Sequence, residues 1–237
     1  PMIEIQNVSK KYGKHWANDH LTFSVPQGKM AVLLGPNGAG KSTLIKSLVG
    51  LLRHEGEITV DGYSNRSVDA KRILGYVPEM PAVYDLLTVW EHLEFIARAY
   101  QLTDWQPVAE ELLARMEMAD KRDKLGKELS KGMQQKLSIL CAMLPQPKAI
   151  VLDEPLVGLD PHAIKELKAL LREWRDKGHT VLLSTHMIES VEQDWDVAFI
   201  LMNGKLEATM RREEETASET LEKLFFRVTE SKEEALS

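Results

Sequence analysis

Short apolar runs alternate along the chain with amphipathic helical stretches, which predicts an α/β protein organised around a buried parallel sheet. Two regional patterns refine that expectation. Over roughly the first sixty residues polar and apolar side chains alternate, as in half-exposed antiparallel strands. From about residue 86 to about 145 the apolar spacing becomes helical. The expected architecture is a parallel-sheet core with an N-terminal antiparallel β subdomain and an inserted α-helical subdomain at about 86–145, together filling 1–210. A charged segment over 211–237 completes the chain.

Each element has a local cause. Ile3-Glu4-Ile5, Thr22-Phe23-Ser24-Val25 and Glu57-Ile58-Thr59-Val60 alternate, and the last leads into an Asp61-Gly62 turn. Met30–Leu34, Ala149–Leu152, 180–184 and 198–202 are short, apolar and bounded by turn or polar residues, the pattern of strands buried on both faces. Residues 42–52 form a helix with Leu44, Ile45, Leu48 and Leu52 on its inner side. In the insertion, Thr88-Val89-Trp90-Glu91 has capping-box spacing, and Trp90, Leu93, Ile96 and Ala97 then trace one apolar face. Pro107 suits the start of a second helix over 108–118, and Ser130 can cap a third that ends before Pro145. Asp160-Pro161 opens another helix, closed by Gly178. Asn203-Gly204 between 199–202 and 206–209 signals a hairpin. Beyond Arg211, Leu221, Leu224, Phe225 and Val228 make one amphipathic patch, either a docked helix or a frayed end.

Composition narrows the function. The 237 residues are 43% hydrophobic, enough for a sizeable core. With 36 acidic against 30 basic residues the net charge is -6, and the basic runs are only pairs such as Lys10-Lys11 and Arg211-Arg212. That is a poor footprint for gripping nucleic acid. Cys141 is the only cysteine, which excludes an intrachain disulfide and a cysteine metal cage and points to a reducing cytoplasm. Its place on the inner side of a helix marks it as a small buried hydrophobe. No apolar run approaches the roughly 20 residues that a membrane-spanning helix needs; Val197–Met202 and 137–144 are the richest.

Gly35-Pro36-Asn37-Gly38-Ala39-Gly40-Lys41-Ser42, followed by Thr43, fits the eight-position phosphate-loop pattern and lies between a buried strand and a helix. Its glycines let successive backbone N–H groups turn towards phosphate oxygens, and the helix N-terminus adds a fixed partial positive charge. Lys41 can bridge the terminal phosphates, and the Ser42 hydroxyl can hold Mg²⁺. Asp153 and Glu154 follow an apolar strand, so they fall at the carboxyl edge of the sheet beside this loop. Asp153 is expected to complete the Mg²⁺ site, and Glu154 to act as general base or to orient the attacking water. His186, just past 180–184, lies at the same edge and can reach a γ-phosphate. An Asn-Lys-x-Asp guanine-recognition tetrapeptide is missing, which counts against a GTPase.

With Leu129-Ser130-Lys131-Gly132-Met133-Gln134-Gln135-Lys136 upstream of Asp153-Glu154, the chain resembles the ATP-binding subunit of ABC transporters, a P-loop NTPase fold. The octapeptide looks like the family signature, Val157-Gly158-Leu159-Asp160 like its D-loop and Ser184-Thr185-His186 like its switch histidine. Tyr12 falls where the family stacks an aromatic ring on adenine, with Trp16 as second candidate, and Gly75-Tyr76-Val77-Pro78-Glu79 falls at the Q-loop. The resemblance implies that Tyr12, Gly35 to Thr43, Glu79, Ser130, Gly132 and Asp160 contact nucleotide, with Ser42, Glu79 and Asp153 around Mg²⁺. Three departures stand out: Lys131 and Met133 replace the usual signature Gly and Gln, Glu79 replaces the usual Gln, and Val157 the usual Ser. Ser130 and Gly132 keep the signature's small donors, and the Glu79 carboxylate remains a hard ligand for Mg²⁺. These features look most like the drug, peptide and Ecs-type branch, which mostly serves export or membrane maintenance.

The resemblance implies a head-to-tail homodimer closing over two ATP–Mg²⁺ and driving an integral membrane permease from the cytoplasmic face. Met80, Pro81, Val83 and Tyr84 form either a groove wall for that partner or packing between insertion and core. A soluble ATPase of cofactor assembly, or a regulator without turnover, is the alternative. Intact Lys41, Asp153, Glu154 and His186 argue against the regulator, and only about 90 residues between Lys41 and Ser130 argue against the long coiled-coil repair relatives.

Overall fold

The computed structural model describes residues 1–191 and 193–235. In chain order it contains β1 (Ile3–Tyr12), β2 (His15–Val25), β3 (Met30–Leu34), α1 (Lys41–Leu48), β4 (Glu55–Val60), β5 (Tyr63–Ser64), α2 (Val68–Ile73) and β6 (Leu74–Val77). The insertion supplies α3 (Val89–Ala99), α4 (Gln106–Arg115) and α5 (Lys131–Met143). There follow β7 (Ala149–Leu152), α6 (Pro161–Asp176), β8 (Thr180–Thr185), β9 (Val197–Met202), β10 (Lys205–Arg211) and α7 (Leu221–Glu234).

The N-terminal sheet is antiparallel, in the order β2-β1-β4-β5. The second runs β10-β9-β3-β8-β7-β6, parallel except for the β10 edge, which the Asn203-Gly204 turn folds back antiparallel on β9. Both turn residues have positive φ, as such a two-residue turn requires. Side chains alternate along each strand, so one parallel sheet serves two cores. Val32, Leu34, Ile150, Leu152, Val181 and Leu183 face the helices of the insertion together with α6 and α7. Ala31, Leu33, Ala149, Val151 and Leu182 face the N-terminal sheet and α1.

Local signals act where they were expected. Thr88 and Glu91 close a reciprocal capping box on α3, while Ser130 and Asp160 cap α5 and α6. Boundaries differ in places. The second insertion helix spans Gln106–Arg115, because Glu117 adopts a left-handed φ of 54° and stops it before residue 118. The first helix ends at Leu48, ahead of Gly50 at φ 83°. Strand β6 and helix α2 are additions to the predicted set. A Cβ on Gly75 would lie 2.9 Å from the Pro147 ring and 3.0 Å from the Ala142 carbonyl, so glycine lets this short strand lie close under the end of α5. The C-terminal alternative resolves to a docked helix: Thr220 caps α7, and buried Leu221 and Phe225 join Ile188 and Val191 in the core. Leu236 and Ser237 of the predicted tail lie outside the described residues.

Candidate functional site

Strand β3 delivers the chain to Gly35, where any side chain would collide with the Leu201 carbonyl oxygen of β9. Gly38 and Gly40 then take φ of 84° and 103°, a left-handed backbone. Gly40 caps α1 without a side chain to occupy its first amides, so those N–H groups and the helix dipole remain directed at an anion. Two neighbours brace the loop from behind. Asn18 Nδ2 donates to the Gly40 carbonyl at 2.9 Å, and the Gly204 N–H of the β9–β10 turn donates to the Ala39 carbonyl at 2.9 Å.

Lys41 is only 5% exposed. Its ammonium donates to the carbonyls of Gly35 and Pro36 and lies 3.5 Å from Glu154 Oε1. Burial holds its pKa below the ordinary lysine value, and Glu154, Asp153 and Glu79 pull the other way.

Directly after strand β7 comes Asp153, fully buried, whose Oδ1 accepts from Ser42 Oγ at 3.2 Å and from Ser184 Oγ at 2.8 Å. Asp153 Oδ2 is buried without a hydrogen-bond partner. An orphaned carboxylate oxygen next to a hydroxyl is a hard oxygen donor set, the kind Mg²⁺ selects. Glu154 follows with φ 48°, a conformation that costs a non-glycine residue about 1 kcal/mol. It is held there by donating its N–H to Ser184 Oγ at 2.9 Å. His186 Nδ1 lies 3.1 Å from both Glu154 carboxylate oxygens, so a proton on Nδ1 is donated to that carboxylate. Glu154 is thus gripped between Lys41 and His186.

These groups open into a cleft of about 1000 Å³, counting its solvent-filled mouth, walled by Tyr12, His15, Asn37, Gly38, Gly40, Ser42, Thr43 and Glu79 as well as Lys41 and Glu154. That volume suits a sizeable small-molecule ligand. Tyr12 is half exposed, with Lys10 Nζ 5.3 Å from its ring centroid. His15 is a cleft residue that the sequence reading overlooked; the Gly13-Lys14 turn pairs it with Tyr12 and was the available signal. Trp16 is not among the lining residues, and its ring carries Lys11 Nζ at 4.8 Å. Behind Glu79, burial together with Asp153 and Glu79 pushes the Tyr76 phenol up to about 12.

Ser130, Gly132 and Asp160 lie outside this cleft wall. Ser130 is exposed at the tip of α5, its Oγ accepting the Met133 N–H at 3.3 Å. A Cβ on Gly132 would sit 3.2 Å from the Gly158 carbonyl, so the first turn of α5 rests on the loop after β7. Asp160 accepts the Ala163 N–H at 2.8 Å as the cap of α6. Cys141 is partly buried, and its thiol is pushed up to about 12 by burial alone.

The profile of the ABC transporter family matches residues 18–157, more than half of the chain. The chain belongs to the ABC transporter ATP-binding family. It is 32% identical over 225 residues to the lantibiotic transport ATP-binding protein SrtF of Streptococcus pyogenes, covering 94% of this chain and 96% of that protein. It is 34% identical over 212 residues to the ABC-type transporter ATP-binding protein EcsA of Bacillus subtilis, covering 87% and 86%. Among solved structures, an ATP-binding subunit of an ABC transporter superposes with TM-score 0.89 at 34% identity, covering 97% of this chain and all of the other. The ATP-binding cassette MJ0796, a dimer in a post-hydrolysis state bound to ADP and Pi, gives TM-score 0.81 at 25% identity, covering 89% of this chain and 99% of that one. The chain is accordingly an ATP-binding subunit of an ABC transporter, an ATPase with the cassette fold.

Proposed function

We propose that two copies of this chain close head to tail over two ATP molecules, and that the cycle drives an export permease. The observation that carries the reading is the separation of two anion-directed helix ends. The α1 end, with Lys41, lines the cleft, whereas the α5 end, capped by exposed Ser130, lies outside its wall. A helix N-terminus held at the surface is useful to a phosphate brought by another copy. Ser130, Gly132 and Asp160 then contact the nucleotide held by the partner's phosphate loop.

Within one cleft, the amides from Gly35 to Thr43 cradle the phosphates and Tyr12 stacks on the base. Lys41 exchanges two carbonyl acceptors for phosphate oxygens. Ser42, Asp153 and Glu79 would hold Mg²⁺, which supplies charge neutralisation of the terminal phosphates. Glu154 orients the attacking water and accepts its proton, while His186 fixes the Glu154 carboxylate and reaches the γ-phosphate. Residues 1–210 constitute the ATPase domain in this reading, and 211–237 a C-terminal appendage.

The permease contact is the segment from Glu79 to Leu87. Met80 and Leu86 are 79% and 74% exposed, and Tyr84 packs edge-on to exposed Phe95 of α3, while Val83 turns inward onto the core. The exposed side chains support the groove-wall reading, and Val83 the packing one. Among the described residues no helix is long and apolar enough to cross a membrane, so a separate integral membrane protein would hold the subunit at the inner face. Export follows the relatives named for lantibiotic transport and for SkfA peptide export in Bacillus subtilis. The test is size-exclusion chromatography of Glu154→Gln with and without ATP–Mg²⁺. A nucleotide-dependent dimer is expected, and a monomer under every nucleotide condition removes the two-copy scheme.

A further inference from the structure

Gln135 is 2% exposed in the core-facing side of α5, one to two turns beyond Ser130. Its Nε2 donates to the Pro155 carbonyl at 3.1 Å, and its Oε1 is buried without a partner. A buried amide with its donor paired and its oxygen without a partner is half satisfied, so packing alone gives little reason for it. Pro155 directly follows Glu154, whose left-handed backbone is held on its N-terminal side by Ser184. Gln135 holds the same short segment on its C-terminal side, and Gly132 lets the first turn of α5 rest on Gly158 three residues further along.

From this juxtaposition we infer that Gln135 is a positioning residue that ties the signature helix α5 to the backbone carrying Glu154, so that occupancy of one site by the partner's nucleotide sets the aim of the carboxylate in the other. The inference rests on the two-copy reading above. When a phosphate draws on the Ser130 end of α5, the Nε2–carbonyl bond moves the Pro155 peptide with the helix. Without that bond α5 and the Glu154 segment shift independently. Gln135 lies outside the cleft wall and acts only through Pro155.

The experiment uses the full chain with Gln135→Leu and Gln135→Glu, measuring ATPase rate against ATP concentration, ATP affinity by fluorescent-nucleotide titration, and thermal unfolding. Gln135→Leu exchanges one unpartnered buried oxygen for another, so Tm is expected to stay within a few degrees of the unaltered chain. Turnover is expected to fall roughly five- to tenfold, the fold-change of one neutral hydrogen bond, at unchanged ATP affinity and with the Hill coefficient reduced to one. In Gln135→Glu only the protonated acid can donate to Pro155, so its turnover relative to the unaltered chain should rise as pH falls. Unchanged turnover and cooperativity in Gln135→Leu would overturn the inference. So would a loss of rate that tracks a fall in Tm or a weakened ATP affinity. If the unaltered chain itself shows no cooperativity at any concentration, the two-copy reading fails first.

Discussion

Lys41 donates to two carbonyl oxygens and lies 3.5 Å from the Glu154 carboxylate within a buried site, and a triphosphate offers the same ammonium stronger, charged acceptors. Lys41→Ala should therefore weaken nucleotide binding by two orders of magnitude or so, the effect of losing a charge-assisted contact in a desolvated site, as read by fluorescent-nucleotide titration. Glu154→Gln keeps the shape of the carboxylate and removes the proposed base, so ATP should still bind while phosphate release falls roughly 10²- to 10³-fold. Near-normal turnover would take Glu154 out of that role. Tyr76 reports the acidity of the same wall. Its phenol is raised from 10.0 to about 12, so the folded chain keeps a proton that the unfolded chain has already lost. That contribution to stability is whole below pH 10 and disappears as pH climbs through about 12. Tyr76→Phe should flatten the alkaline fall in Tm over this window, and an unaltered alkaline limb would show that Tyr76 titrates like a free phenol.

At the level of elements, capping sets where the helices of the insertion begin, and buried residues such as Leu93, Leu113 and Leu140 then seat them on the core. Thr88 accepts the Glu91 N–H at 3.0 Å, and the Glu91 carboxylate accepts the Thr88 N–H at 3.0 Å, pinning the start of α3 directly after the exposed Met80–Leu86 stretch. Thr88→Ala should cost about 1 kcal/mol in urea unfolding, with a parallel loss of definition in the segment proposed to meet the permease. Helix α7 lies against the short turn Ile188–Ser190 that follows His186, with Phe225 buried in the shared core. Phe225→Ala should destabilise the fold by about 3 kcal/mol, the usual loss for a buried phenyl ring. Equal stability in both proteins would mean that α7 is only loosely docked. The elements legible in advance were those with their own punctuation, such as the Thr88 box, the Asp160-Pro161 start and the Asn203-Gly204 turn. Strand β6 carried none, being four residues long with Gly75 inside it, and only the close approach of Pro147 and α5 explains that glycine.

For the molecule as a whole, the parallel sheet brings three sequence-distant segments to one edge. The phosphate loop after β3 and the ends of β7 and β8 bring Ser42, Asp153 and Ser184 together, with Asp153 Oδ1 accepting from both hydroxyls, since those strands are direct neighbours in the order β3-β8-β7. If two such edges must meet to complete the chemistry, ATPase rate per chain should rise with protein concentration and then saturate. A constant rate across dilution would refute the requirement.

Much of this was written into the linear chain. The phosphate loop, the acids after an apolar strand and the helix caps depend on residues a few positions apart, whose geometry is fixed by backbone sterics and local hydrogen bonds. What lies far apart in the chain was settled only by packing: that Asp153 keeps one oxygen buried without a partner, that His186 turns its Nδ1 to Glu154, that His15 joins the cleft while Trp16 lies outside its wall, and that Leu221–Glu234 docks as a helix. Those outcomes depend on which strand lies beside which and on how two faces of one sheet share their side chains, and a one-dimensional pattern carries no distance between such residues.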